Sequence, residues 1–293
     1  MKKILVISGK GGTGKTFLTA SLSYLASDKK IIVDCDVDAA NLYLLLHPDI
    51  KRSEVFEWGY EAVINQDKCI RCGKCLAICR FEAIKTVHKD DNRGIDRITV
   101  DPFSCEGCGV CKYGCPVGAV DLRKKESGKW FISDTKYGPF VFAKLGIAAE
   151  NSGKLVSKIK QEAYTLAEKE LAEYIIIDGP PGIGCPVIAS MSGVDLALVV
   201  TEPTLSGISD MKRVMEVAEH FQVETKVVVN KYDINLETTE EIRRICYAKG
   251  IEVLGQLPFS EKVVQSIVKQ VPFTEFSNGS IAKDIAKIWE KIK

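Results

Sequence analysis

The residues Gly9-Lys10-Gly11-Gly12-Thr13-Gly14-Lys15-Thr16 constrain this chain more than any other stretch. They fit the pattern G-x-x-x-x-G-K-[ST]. They also fall between an apolar strand expected over Lys3 to Ile7 and a helical pattern from Lys15 to about Ser27. In that setting the glycines let successive backbone N–H groups turn inward on a phosphate, and the helix N-terminus adds positive potential. Lys15 is placed to reach β and γ oxygens, and the Thr16 hydroxyl to hold Mg²⁺. A tight structural turn is the alternative reading. A second apolar strand, Ile31 to Asp34, completes the start of a βαβ unit.

Beyond Tyr60 the pattern changes to short segments rich in Cys and Gly, which continue to about Leu122. Strand and helix signals then alternate again, with strands expected at about Phe140 to Ala143, Tyr174 to Asp178, Leu196 to Thr201, Lys226 to Asn230 and Glu252 to Leu257. Near-continuous apolar strands between helices imply an α/β fold with a mostly parallel sheet covered on both faces. The expected layout is a discontinuous domain, 1–60 and 124–293, interrupted by an insert, 61–123. With 293 residues and 46% hydrophobic composition there is enough chain for one large core or two modest ones. A formal charge of +1 gives no field that would collect nucleic acid or anionic lipid, so neither is an expected partner. The apolar run in MKKILVISGKGG is too brief for a signal core or a membrane span, so the expectation is a cytoplasmic protein. The three histidines, His47, His88 and His220, are scattered away from the glycine loop and carry no expected site.

Eight of the eleven cysteines lie in two runs about 36 residues apart: Cys69-x2-Cys72-x2-Cys75-x3-Cys79 and Cys105-x2-Cys108-x2-Cys111-x3-Cys115-Pro116. Each has the spacing of bacterial ferredoxins, in which three thiolates wrap one cubane and the fourth reaches the other cluster. The expected ligand sets are Cys69, Cys72, Cys75 and Cys115 for one 4Fe-4S cluster, and Cys105, Cys108, Cys111 and Cys79 for the second. Structural zinc and disulfides fit the doubled spacing and the expected compartment less well. Arg80 departs from the pattern by replacing the proline that usually follows the fourth cysteine, which loosens that turn and puts a positive charge beside its cluster. The likeness to two-cluster ferredoxins covers about Ala62 to Leu122, and two clusters so placed usually form an electron relay.

The second lysine of the glycine loop, Lys10, makes KGGTGKT resemble the deviant Walker A motif of the MinD/Mrp/ParA ATPases, relatives of the nitrogenase iron protein. That resemblance implies a nucleotide-sandwich dimer in which Lys10 reaches the partner's phosphates; from the residues alone it is a loop charge. Asp34-Cys35-Asp36-Val37-Asp38 resembles switch I, which implies that Asp36 orients the attacking water near Mg²⁺. Tyr174 to Asp178 followed by Gly179-Pro180-Pro181-Gly182 resembles Walker B and switch II, with Asp178 holding the Mg²⁺ hydration shell. Carboxylates at strand ends also serve as helix caps. Asn230-Lys231-Tyr232-Asp233 fits the N-K-x-D pattern of guanine-binding GTPases, but an asparagine here commonly faces adenine in the MinD-like group, so ATP is expected over GTP. Pro258-Phe259-Ser260 resembles the segment that closes the base pocket.

Weaker features complete the reading. Cys185 stands just past switch II, where the nitrogenase iron protein has a cluster-ligating cysteine. The C-x-x-C that Mrp-type carriers place near their C-terminus is absent. Ile281, Ile285, Ile288 and Ile292 share a helical face that resembles MinD's membrane-targeting tail, though docking on the core is the stronger expectation. Gly146 to Lys154 resembles a stretch of MinD-superfamily ATPases with inserted ferredoxin domains, a group often described as cobyrinic acid a,c-diamide synthase-like. The resemblance of the whole chain to that group implies a dimerising ATPase, paired with itself or with a paralogue. It would couple nucleotide state to electron transfer or cluster handling with a redox or iron–sulfur client. A MinD/ParA-like positioning or scaffold ATPase with structural clusters is the alternative. An amide ligase stands third, because the chain lacks the glutamine-hydrolysing partner domain.

Overall fold

The computed structural model describes residues 1–26, 29–88, 97–146 and 152–293. In chain order the elements are β1 (Lys2–Ser8), α1 (Lys15–Leu25), β2 (Lys30–Asp34), α2 (Tyr43–Leu46), β3 (Asp49–Ile64), α3 (Lys74–Ile78), β4 (Ile84–Val87) and β5 (Arg97–Val100). They continue with α4 (Val110–Tyr113), β6 (Val120–Thr135), β7 (Gly138–Leu145), α5 (Ser152–Lys169), β8 (Tyr174–Pro181), α6 (Cys185–Met191), β9 (Leu196–Thr201) and α7 (Leu205–His220). Last come β10 (Glu224–Asn230), α8 (Leu236–Ala248), β11 (Glu252–Leu257), α9 (Glu261–Val268), α10 (Phe273–Phe276) and α11 (Ser280–Ile292).

The described residues form two compact units, those within 1–54, 130–144 and 151–293 the first and those within 55–129 and 145–150 the second. The first is an α/β fold built on a sheet of order β11-β10-β9-β1-β8-β2-β7-β6-β3. The strands from β11 to β7 pair in parallel. Their sequences explain this. Ile4 to Ile7, Ile31 to Val33, Ile175 to Ile177 and Leu196 to Val199 are buried on both faces, so helices must cover the sheet on each side. Register sets Ile4 beside Ile176 and Leu196, which makes β1 an interior strand between β8 and β9. Its C-terminal end opens where the order of connection reverses, the usual place for a ligand crevice in an open α/β sheet.

The C-terminal helix belongs to this core. Ile285, Ile288 and Ile292 of α11 are buried with Leu254 and Leu257 of β11, and Trp289 meets Tyr174 edge-on at 5.1 Å. Its apolar face is therefore taken, and it is not free to serve as the membrane tail it resembles. Among the described residues no helix is long and apolar enough to cross a membrane.

The second unit gathers Ala62, Cys75, Ile84, Ile98, Cys111 and Val120 into a small core, with Cys69, Cys79, Cys105 and Cys115 packed against it. Its β4 and β5 pair antiparallel, Ile84 opposite Val100. The two cysteine runs lead into the short helices α3 and α4, and each helix follows a left-handed glycine, Gly73 and Gly109. Most of the Gly146 to Lys154 stretch lies outside the described residues; α5 begins within it at Ser152.

Candidate nucleotide site and cysteine centres

The glycine loop leaves β1 and enters α1 through Gly14, whose φ of 95 is the left-handed conformation that glycine adopts without strain. A Cβ there would stand 2.4 Å from Asn230 Nδ2. This close approach lets Asn230 brace the loop: Nδ2 donates to the Thr13 carbonyl at 2.8 Å, and Oδ1 accepts the Lys231 N–H at 3.0 Å. Asn230, expected to face the base, thus has both ends of its amide engaged beside the loop. Lys15 is buried at the start of α1. Thr13 Oγ1 is buried with no hydrogen-bond partner among the described residues, as a loop built around an oxyanion would leave it.

Asp178 of β8 accepts the Thr16 hydroxyl at 2.7 Å and the Thr19 hydroxyl at 2.8 Å. Parallel pairing places Asp34 of β2 beside it in register. Burial pushes the Asp178 carboxyl up to about 6, against the pull of Lys15 and the two threonines, with the Asp36 charge adding to the rise. Asp34 is raised well above the carboxylate range by burial and by the charge on Asp178, although the Asp36 and Leu42 N–H groups both donate to it. Asp36 is also raised, by burial first, while Lys15 draws it down. Three carboxyls with hard oxygen donors stand beside a threonine hydroxyl and one buried lysine. That set suits a Mg²⁺ bound mainly through water and phosphate. Among the described residues no group of three or more His, Cys, Asp or Glu is gathered closely enough to hold a single metal ion, either here or at the cysteine runs.

Lys10 does not project freely. Its Nζ lies 2.5 Å from Glu202 Oε1 and donates to the Thr204 and Ser206 hydroxyls at 3.4 and 3.2 Å. Glu202 Oε2 takes Lys231 Nζ at 3.2 Å, and Lys231 also reaches the Gly12 carbonyl at 3.3 Å. Burial works to raise Glu202, yet the hydrogen bonds from Lys10 and Lys231 outweigh it and hold the carboxyl below its usual value. Pro258 sits in the loop after β11. Its neighbour Phe259 donates its N–H to Asp233 Oδ1 at 2.7 Å, tying that loop to the one after β10.

Sequence reasoning missed Glu202, Thr19 and Lys160. Glu202 ends a buried strand on the crevice side, which is the signal that would have found it. Thr19 lies one helical turn beyond Lys15 and was hidden in an ordinary helical pattern. Lys160 of α5 is a buried lysine whose Nζ donates to the carbonyls of Ala189, Ser190 and Ser192 at 3.0, 2.6 and 2.6 Å, closing the end of α6. Burial draws it down to about 8. Cys185 is exposed at the start of α6, while Cys35 and Cys246 are buried, and burial raises both thiols.

In the second unit a partly open hollow is walled by Cys79, Cys105, Cys108 and Cys111, with Ile78, Phe81, Ala83, Ile84 and Val110 among its other lining residues. Arg80 and Glu106 also border it. The Ala62 N–H donates to Cys105 Sγ at 3.4 Å and the Ala119 N–H to Cys115 Sγ at 3.2 Å. Burial works against the Cys115 thiolate, but backbone N–H groups of Val117 through Val120 bring its thiol below the usual value. Of the other first-run cysteines, Cys75 is buried, Cys69 half-buried and Cys72 exposed. A cubane takes one thiolate per iron, so its ligands spread around a cluster rather than converge on one ion. A hollow with mostly apolar lining and four thiols on its wall, one of them, Cys105, taking a backbone N–H, fits such a group.

Residues 4–273 match the family described as the CobQ/CobB/MinD/ParA nucleotide binding domain. Uncharacterized protein MJ0578 of Methanocaldococcus jannaschii is 37% identical over 295 residues, 99% of this chain and 96% of that protein. The same organism's Uncharacterized ATP-binding protein MJ0685 is 25% identical over 300 residues, covering 99% and 98%. Among solved structures, the septum site-determining protein MinD complexed with Mg-ADP, from Pyrococcus horikoshii, superposes with a TM-score of 0.60 at 18% identity. That match covers 100% of this chain and 96% of the other.

Proposed function

Because the chain belongs to the CobQ/CobB/MinD/ParA family of nucleotide-binding proteins, we propose that it is an ATP-hydrolysing switch whose second unit holds two 4Fe-4S clusters. In this reading nucleotide state is coupled to electron transfer or to cluster handling with a client protein. The observation that carries it is the cavity walled by Cys79, Cys105, Cys108 and Cys111. Three of these thiols come from the second cysteine run and the fourth from the first, which is the crossed set that the ferredoxin spacing calls for. The domains of the proposal are 1–60 with 124–293 for the ATPase and 61–123 for the ferredoxin module.

The chain's own residues divide the work as follows. Backbone N–H groups of Gly11 to Lys15 surround the β-phosphate, and Lys15 meets its oxygens together with those of the γ-phosphate. Thr16 and Asp178 would hold Mg²⁺, whose charge would offset that of the phosphates. Asp36 orients the water that attacks the γ-phosphate. Lys10, in keeping with a deviant Walker A loop, reaches the phosphates of a partner subunit once Glu202 lets it go. ATP would then hold the dimer closed and hydrolysis would open it. The name of the MJ0685 relative supports ATP as the nucleotide. Asp233 supports it too, since the carboxylate that N-K-x-D proteins turn on guanine is here engaged by the Phe259 N–H.

The deciding experiment is the ATPase rate of anaerobically purified protein with its clusters oxidised and then reduced by dithionite, beside a Lys15→Ala control and an iron count. About eight irons per chain and a rate or nucleotide affinity that follows cluster state are expected. Full iron with an indifferent rate would favour the alternative, a positioning or scaffold ATPase with structural clusters.

A further inference from the structure

The two cysteine loops of the second unit share a backbone path but not a surface. Arg71 at φ 59 and Gly73 at φ 73 in the first loop correspond to Gly107 at φ 64 and Gly109 at φ 77 in the second. Left-handed backbone is natural to glycine and strained for a long side chain, yet the first loop carries an arginine there. The second loop cannot do so: a Cβ on Gly107 would stand 2.1 Å from the Tyr60 carbonyl oxygen. The same offset sets Lys68 against Ser104, Ile70 against Glu106 and Lys74 against Val110. One loop therefore presents three cations around an exposed isoleucine, while its duplicate presents one carboxylate and no cation.

Lys68, Arg71 and Lys74 are all exposed, as is Cys72 between them, and Ile70 is 62% exposed. Among the described residues none of the three cations makes an ion pair. Asp121, which feels Lys68, is already held by Lys112 at 2.7 Å. A strained arginine kept in a group of unpaired charges, on one copy of a duplication only, points to something outside the chain that uses them.

We propose that the Lys68–Lys74 loop is the docking face through which this unit exchanges electrons with an acidic protein. Carboxylates around the partner's redox centre would meet Lys68, Arg71 and Lys74, and Ile70 would supply the dry contact inside that rim. The proposal rests on the iron–sulfur reading above. One electron crosses between the cluster and the partner, which change oxidation state by one in opposite senses; no bond forms or breaks and no proton moves.

The test uses the full chain with its clusters in place, reduced by dithionite and freed of the excess. It is mixed in a stopped-flow cell with ferric-EDTA, an anionic one-electron oxidant, or hexaamminecobalt(III), a cationic one, and cluster bleaching is followed from low to high salt. The ferric-EDTA rate should fall on the order of ten-fold as salt rises. Poly-L-glutamate at low salt should slow it further. The variant Lys68→Glu/Arg71→Glu/Lys74→Glu should favour hexaamminecobalt instead and ignore poly-L-glutamate. The same reversal at Lys212, Lys249 and Lys283 of the first unit should leave the original pattern. If the triple variant loses its iron, Arg71→Gly, which restores the residue of the duplicate loop, should still weaken the salt dependence about two-fold. Iron in place with rates indifferent to these changes would overturn the docking face alone. Absence of iron after anaerobic reconstitution would overturn the iron–sulfur reading and the docking face with it.

Discussion

Glu202 holds the ammonium of Lys10 at 2.5 Å and so keeps the second lysine of the glycine loop folded back onto its own subunit. Lys231 shares the same carboxylate at 3.2 Å, and both lysines are partly buried, so the pair is worth more than a surface ion pair, about 1 kcal/mol or somewhat above. Freeing Lys10 should therefore favour any state in which it binds a partner's phosphates. Glu202→Gln is expected to raise the dimer fraction with a non-hydrolysable ATP analogue about five-fold in sedimentation experiments. Adding Lys10→Ala should cancel the gain. A dimer fraction that does not respond to Glu202→Gln would remove the restraint from the account.

Asp178 gives the nucleotide-free protein a pH dependence of definite sign. Its folded pKa of about 6 lies above the ordinary 3.8, so between these values the folded chain keeps a proton that the unfolded chain has lost. Stability must fall as pH rises through that window, by at most about 3 kcal/mol, and the cost is fully present above about 6. Asp178→Asn should then raise the melting temperature of the nucleotide-free protein at neutral pH by a few degrees and flatten its pH profile, while abolishing hydrolysis. Mg²⁺ should improve ADP binding more at pH 7 than at pH 5, since only the ionised carboxylate supports the ion. Calorimetric melts and titrations across pH 5 to 8 check both, and a variant less stable than the parent throughout would contradict the burial argument.

What the sequence made legible follows from where burial leaves a mark. The strands at Lys3 to Ile7, Ile31 to Asp34, Tyr174 to Asp178 and Leu196 to Thr201 are apolar between their ends because the sheet is covered on both faces, and they stand where that pattern placed them. The sixteen-residue strands β3 and β6 left little trace. Residues 49–60 of β3 are exposed but for Phe56, so no period of two was impressed on Asp49-Ile50-Lys51-Arg52-Ser53-Glu54. The loop at Gly9 to Thr16 was readable because phosphate binding dictates its glycines. Glu202, Thr19 and Lys160 were not readable, because they meet Lys10, Asp178 and the end of α6 only through the fold, and a lysine that ends up buried over three carbonyls looks in sequence like any helix-surface lysine.

Asn230 separates bracing the loop from reading the base. Its amide spans Thr13 and Lys231, so Asn230→Ala removes both hydrogen bonds and takes the side-chain donor from the Thr13 carbonyl, a loss of about 1–2 kcal/mol. Nucleotide affinity should drop about ten-fold, and by the same factor for ATP and GTP, as read by competition with a fluorescent nucleotide. A loss confined to ATP would assign the side chain to adenine instead.

The crossed cysteine sets make a prediction that counting iron alone decides. Cys79 lines the cavity with Cys105, Cys108 and Cys111, so Cys79→Ser and Cys108→Ser should injure one and the same cluster. The double variant Cys79→Ser/Cys108→Ser is expected to keep about four irons per chain, no fewer than either single variant. Cys79→Ser/Cys72→Ser should strike both clusters and leave close to none. If each run instead ligated a cluster of its own, the two outcomes would be exchanged, because Cys72 and Cys79 would then serve one cluster and Cys108 the other. Electron paramagnetic resonance of the reduced proteins gives a second reading: a single isolated cluster signal for the first double variant, against the broadened spectrum of two coupled clusters in the parent. The exchanged result would leave the duplicated spacing intact as a metal-binding pattern but would make Cys79 a wall of the cavity with no part in holding its contents.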